Sequence, residues 1–123
     1  MEFYGELLGL LGWRSDARTE IVGESGERVV YLPCGDDPGM GALGLRSATD
    51  TAPADRYRVG LHHVAFNAGS PESVNAVWDW VQASALTHEG APRGYYSGRY
   101  YALFIRDPDN IKVEVVHRPP HPG

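Results

Sequence analysis

The residue in this chain best placed for chemistry is Glu114, a carboxylate within YYALFIRDPDNIKVEVVH, residues 100 to 117. Tyr100 to Arg106 and Ile111 to His117 are rich in aromatic and β-branched residues, and Asp107-Pro108-Asp109-Asn110 between them has the chemistry of a turn. Pro108 presets φ for a turn's first central position, and Asn110 tolerates a left-handed backbone. The stretch predicts a β-hairpin. Along its second strand Ile111, Val113 and Val115 share one face, while Lys112, Glu114 and Val116 share the other. Glu114 is then either part of a wetted face or a ligand or acid/base group directed into a cavity, and a second feature must decide. Cys34, between Pro33 and Gly35, has no His close in sequence to activate it as a thiolate.

The elements that hold Glu114 belong to a chain of 123 residues that is 42% hydrophobic, enough for one core and short for two ordinary domains. A formal charge of -5, with 11 basic residues scattered along the chain, argues against a nucleic-acid surface, which relies on clustered Lys and Arg. One cysteine cannot form an intramolecular disulfide. The N-terminus lacks the basic flank and small-residue cleavage site of a secretory signal, and no apolar run approaches the roughly 20 residues of a membrane span. The expectation is a cytoplasmic protein with no membrane and no nucleic-acid partner.

Phe3, Tyr4, Leu7, Leu8, Leu10 and Leu11 recur at helical spacing, so residues 2 to 11 read as a short amphipathic helix ending at Gly12. Strand character follows at Thr19 to Gly23, Arg28 to Leu32 and Ala42 to Ala48, with Ser25-Gly26 as a hairpin turn. Residues 49 to 58 carry no period and read as a linker. Beyond it a strand is predicted over Val59 to Asn67, then a helix with Ser70 as N-cap and Pro71 at its first position. Val74, Val77, Trp78, Val81 and Ala85 form the helix's apolar stripe. A short strand over Leu86 to Glu89, a loop over Ala91 to Arg99 and the hairpin complete the order, and a proline-rich tail ends it. The second half is a β-α-β-β-β unit, and the first half is the same unit without its opening strand.

The segments FYGELLGLLGW at 3 to 13, GLHHVAF at 60 to 66 and YYALFIRDPDNIKVEVVH at 100 to 117, in that order, resemble the vicinal oxygen chelate superfamily of glyoxalases, bleomycin-resistance proteins and extradiol dioxygenases. The resemblance covers nearly the whole chain. It implies an α+β fold of paired β-α-β-β-β modules in a single domain 1–123, with module one at 1–48, linker 49–58, module two at 59–118 and tail 119–123. It also implies a cleft that commonly holds one divalent ion, ligated from the first and last strands of each module. Position by position, His63 matches the first-strand ligand of the second module and Glu114 the last-strand ligand. Imidazole nitrogen and carboxylate oxygen suit Zn, Ni, Fe or Mn. Strict alternation puts His62 and His63 on opposite sides of their strand, so only one enters the cleft, and the match favours His63 unless the register slips.

The chain departs from the family pattern in its first module, where the opening strand is missing and Leu43 and Leu45 stand where a carboxylate is expected. His63 and Glu114 then give two protein ligands, against the three usual in catalytic sites, with His88 the one further candidate. Three accounts are open: a segment ahead of Met1 carries the strand, a partner chain completes the cleft, or the site has become a binding pocket. An unpaired sheet edge invites association, so a homodimer is expected. Within the loop that would wall the cleft, Tyr96, Arg99 and Tyr101 are the expected contacts to a small-molecule substrate, with ordinary surface residues as the alternative; Arg106 is expected to hold Asp107 or Asp109. Two functions follow from the resemblance. One is a divalent-metal-dependent lyase or dioxygenase acting on vicinal oxygens, with Glu114 as ligand or base; the other is a non-catalytic binding protein with a degenerate metal site.

Overall fold

Runs of β-branched residues become strands here wherever a neighbouring strand is available to satisfy their backbone, and Gly or Pro marks the points where pairing stops. The computed structural model describes residues 3–95 and 100–119, apart from the side chains of Pro38 and Tyr95. The start of the first helix at Glu2, the substrate contacts expected at Tyr96 and Arg99, and tail residues 120–123 lie outside the described residues. The architecture is α+β, and the chain divides into two compact units, Met1–Thr51 and Ala52–Gly123.

In the first unit, helix α1 (Phe3–Leu10) is followed by strands β1 (Thr19–Val22), β2 (Arg28–Pro33) and β3 (Ala42–Arg46), which form an antiparallel sheet in the order β1-β2-β3. Gly12, at φ 88°, lets the Trp13 N–H turn back to the Leu8 carbonyl (2.9 Å) and close the helix end. Gly26, at φ 79°, makes the predicted hairpin turn possible. Phe3, Leu7, Leu8, Val29 and Leu32 are buried.

The second unit contains β4 (His63–Asn67), helix α2 (Pro71–Ala83), β5 (Arg93–Tyr95), β6 (Tyr100–Arg106) and β7 (Lys112–His117). Its sheet runs β4-β7-β6-β5, with β4 parallel to β7 and the remaining pairs antiparallel. A parallel neighbour needs a crossover, and α2 supplies it. The Ser70 Oγ accepts from the Ser73 N–H (3.1 Å), and Pro71 stands at the helix start, as the sequence predicts. Val74, Val77 and Val81 of α2 are fully buried, together with Leu103 and Ile105 of β6 and Val113 and Val115 of β7, which share one sheet face. Each such side chain contributes about 1.5–3 kcal/mol by leaving water. That face is closed by α2; on the opposite face Ala102 and Val116 are also buried, while Glu114 is partly exposed.

Several boundaries differ from the sequence reading. The strand predicted from Val59 begins at His63, because β7 offers its first pairing partner, Lys112, only opposite His63. Gly60 takes φ 137° and Val59 and Leu61 stay exposed. The predicted strand at Leu86 to Glu89 shrinks to one bridge, His88 to Ile105, while the segment read as a loop supplies β5. Ala85 leaves the helix at φ 52° and is not on its buried stripe.

Candidate functional site

The parallel register sets Ala65 opposite Glu114 and His63 opposite Lys112, and β6 adds Phe104 opposite Glu114 and Arg106 opposite Lys112. Cross-strand partners share a face, so His63, Ala65, Lys112, Glu114, Phe104 and Arg106 project on the side away from α2. The alternation expected for β7 is therefore observed, and Glu114 does stand on the face that α2 leaves uncovered. His63 Nε2 lies 3.8 Å from Glu114 Oε1, with side chains 37% and 14% exposed, so the imidazole is open to ligands while the carboxylate is half-sheltered.

His62 departs from the expectation that neighbouring histidines point to opposite sides. Alternation binds only residues inside a strand, and His62 precedes β4. Its Nδ1 lies 2.8 Å from His63 Nδ1, with the rings edge-to-face at 5.0 Å. The segment that carries it is anchored to the β6–β7 turn: the Ala54 N–H donates to the Asp109 carbonyl (2.8 Å), and Asn110 Nδ2 donates to the Ala54 carbonyl (3.1 Å). Farther along, Tyr57 meets the His62 ring at 6.4 Å. The His62 imidazole is held below its ordinary pKa, first by hydration lost to close neighbours even though the residue stays exposed, then by the positive charge of His63, Lys112, Arg56 and Arg106.

Arg106 does not hold the turn carboxylates. Its Nη2 pairs with Glu89 Oε2 at 3.0 Å, Lys112 Nζ approaches the same oxygen at 3.5 Å, and Lys112 also lies 4.6 Å above the Phe104 ring. Asp107 is instead satisfied by backbone: its Oδ1 accepts from the Asp109 and Ile111 N–H groups, each at 2.8 Å.

Tyr101 and His88 fall on the other face. Tyr101 alternates with Leu103 and Ile105, pairs across to His117, and donates its hydroxyl to Asn75 Oδ1 on α2 at 2.6 Å. Tyr101, an expected substrate contact, therefore lies on the sheet face opposite Glu114. His88 packs edge-on against Trp78 of α2 at 4.8 Å and accepts from the Gly90 N–H at 3.0 Å, so it does not join His63.

An imidazole nitrogen and a carboxylate oxygen at 3.8 Å suit neighbouring positions on one divalent ion, since bonds of about 2.0–2.2 Å put adjacent donors on the order of 3–4 Å apart. The donor chemistry fits Zn, Ni, Fe or Mn. Among the described residues no group of three or more His, Cys, Asp and Glu side chains is arranged for an ion, so the pair supplies two protein donors. In the first unit an open concavity of about 440 Å³ is lined by Pro33, Asp36, Asp37 and Gly41 among others. Its carboxylates are engaged locally, Asp36 by Arg14 and Asp37 by the Gly39 N–H (2.9 Å). No helix among the described residues is long and apolar enough to cross a membrane.

Comparison with known proteins agrees with this architecture. A family model described as the Glyoxalase/Bleomycin resistance protein/Dioxygenase superfamily matches residues 1–115. The uncharacterized protein YqjT of Bacillus subtilis (strain 168) is 40% identical over 63 residues, which cover 50% of this chain and about half, 49%, of that relative's length. A glyoxylase/bleomycin resistance protein/dioxygenase domain from Frankia sp. EAN1pec superposes with a TM-score of 0.68 at 20% identity, covering 89% of this chain and 81% of that one, a likeness of fold alone. A glyoxalase/bleomycin resistance protein from Albidiferax ferrireducens T118 gives a TM-score of 0.62 at 27% identity, over 96% of this chain and 86% of that one.

Proposed function

The chain belongs to the Glyoxalase/Bleomycin resistance protein/Dioxygenase superfamily, and from that premise we propose that it is a divalent-metal-dependent enzyme acting on a small molecule with vicinal oxygens. The observation that carries this reading is the convergence of His63 Nε2 and Glu114 Oε1, 3.8 Å apart, on the sheet face away from α2. His63 and Glu114 would hold the ion. When bound, a divalent ion supplies Lewis acidity toward adjacent oxygens. Glu114, half-sheltered beside Phe104, serves as ligand or, released from that role, as the base that takes a proton from substrate. Glu89 keeps Arg106 and Lys112 fixed at the edge of this face, where their charge favours an anionic or enolate-like oxygen. Tyr96 and Arg99 are retained as proposed substrate contacts.

Elemental analysis of wild type beside His63→Ala and Glu114→Ala tests the reading. About one ion per chain in wild type, lost in both variants, supports it and directs a screen of α-ketoaldehydes and catechols. Full metal content in His63→Ala overturns the assignment.

A second reading, a non-catalytic small-molecule binding protein, draws on the two-donor set and on leucines at the positions of β3 that correspond to the ligand strand. Ligand-induced thermal stabilisation indifferent to chelator would favour it. In either case we propose a homodimer. No strand pairs with the outer edge of β4 among the described residues, and Tyr57, Val59 and Leu61 before it are exposed. A monomeric mass by light scattering at micromolar concentration rejects the dimer.

A further inference from the structure

We propose that His62 is a positioning residue, one whose Nδ1 accepts a hydrogen bond from the Nδ1–H of His63, so that the proton stays on His63 Nδ1 and the Nε2 lone pair of His63 is left bare beside Glu114. The inference rests on the metal reading of His63 and Glu114 and adds a residue to it. Two imidazole nitrogens at 2.8 Å cannot both present lone pairs and cannot both present hydrogens; one donates and the other accepts. If His62 donated, a neutral His63 would carry its hydrogen on Nε2. That N–H would face Glu114 Oε1 across 3.8 Å, beyond hydrogen-bond reach, and the nitrogen could not ligate an ion. If His63 donates, its Nε2 is bare and shares a cation with Glu114.

The second arrangement is what a ligating imidazole requires. Such a ring normally gives its other N–H to an acceptor, which fixes both tautomer and ring orientation. His62 Nδ1 occupies that acceptor position. It does so because β4 begins only at His63, which frees the His62 side chain from strand alternation. The anchoring of Ala54 to Asp109 and Asn110, and the edge contact of Tyr57, hold the segment that delivers the ring. The ring is exposed, so its replacement leaves the core intact.

The experiment pairs two readouts on wild type, His62→Phe, His62→Asn and His63→Ala. Long-range ¹⁵N–¹H correlation of the metal-free protein reports which nitrogen of His63 is protonated, and titration with Zn²⁺ reports affinity. His62→Phe keeps a ring without an acceptor, while His62→Asn keeps an acceptor oxygen at the same distance along the side chain as Nδ1. The expected result is an Nδ1-protonated His63 in wild type and in His62→Asn, and a mixture of tautomers in His62→Phe. Zn²⁺ affinity should fall about 10- to 100-fold in His62→Phe and largely recover in His62→Asn. A His62→Phe protein indistinguishable from wild type in both readouts overturns the role of His62; loss of Zn²⁺ in His63→Ala alongside it leaves the metal reading intact. Failure of wild type to take up Zn²⁺, with His62 still setting the tautomer, rejects the metal reading instead and sustains the contact.

Discussion

The two units contain the same three-stranded antiparallel meander, β1-β2-β3 in one and β5-β6-β7 in the other, and they differ in what lies beside the last strand. In the second unit β4 runs parallel to β7 and sets His63 and Ala65 against Lys112 and Glu114. The first unit has no such neighbour among the described residues, and β3 places Leu43 against Leu32 and Leu45 against Val30. A meander by itself provides a surface. Donors from two adjacent strands turn it into a candidate site, because cross-strand neighbours are held close by backbone hydrogen bonds rather than by long side chains.

The strongest way to break this contrast is Glu114→Leu, which gives β7 the residue type that β3 carries at Leu43 and Leu45. The half-sheltered position accepts an apolar side chain, so the fold should persist, with a thermal midpoint close to that of wild type. Zn²⁺ affinity should fall by more than about 100-fold, beyond the loss of an outer partner alone. The converse change, Leu43→Glu, should add no bound ion, because among the described residues no strand beside β3 carries a histidine; equilibrium dialysis with Zn²⁺ reads both variants.

The turns sharpen the same comparison at a smaller scale. Asp107 and Asp37 each accept a backbone N–H two residues on, but Asp107 is 7% exposed and also bonds the Ile111 N–H, whereas Asp37 is exposed. Asp107→Ala leaves two donors of the β6–β7 turn without their partner and should cost about 2–3 kcal/mol by urea denaturation. Asp37→Ala, where water replaces the lost acceptor, should cost less than about 1 kcal/mol. Asn110→Ala should cost about 1–2 kcal/mol, since alanine is strained at φ 68° and cannot bond the Ala54 carbonyl. Asn110→Gly relieves the strain yet still loosens Ala54, an outcome that amide hydrogen exchange at Ala54 distinguishes.

The order of elements and the hairpin around Glu114 were legible because they are written in local signals: period-two alternation, the Ser70-Pro71 helix start, and an Asp-Pro-Asp-Asn turn. What escaped was decided by pairing at a distance. Val59 to His62 have strand composition, but the turn before Lys112 leaves them without a partner, so β4 starts late. That late start is what brings His62 to His63, against strict alternation. Tyr101 carries the same residue type as a substrate contact, yet the parity of β6 directs it to Asn75. The signal that could have found this was present: Tyr101 lies three residues before Phe104, and odd spacing from a residue on Glu114's face puts it on the other. Sequence adjacency points Arg106 to Asp107 and Asp109, while Glu89, 17 residues away, reaches it beside the short bridge of His88 to Ile105.

The weakest expected effects concern charge, and they separate the units once more. Arg106 and Lys112 share Glu89 with side chains only 12% and 16% exposed, so Arg106→Ala removes packing as well as an ion pair and should cost about 1 kcal/mol. Arg14 meets Asp16 at 3.1 Å with both side chains open to water, where screening leaves little net attraction. The Asp16 carboxyl is nonetheless held below its usual range, chiefly by its hydrogen bond to Arg14. A depressed carboxyl contributes stability above its unfolded pKa of about 3.9, and that contribution is lost as pH falls through the lower folded value. Arg14→Ala should therefore raise the Asp16 titration midpoint toward the ordinary carboxylate value, as read by carboxyl-carbon NMR, and lower stability at pH 7 only slightly, because the exposed pair is screened by water. An unmoved midpoint would show that water, not Arg14, sets the charge state of Asp16, and a large loss of stability at pH 7 would show that Arg14 organises the first unit as firmly as Arg106 organises the second.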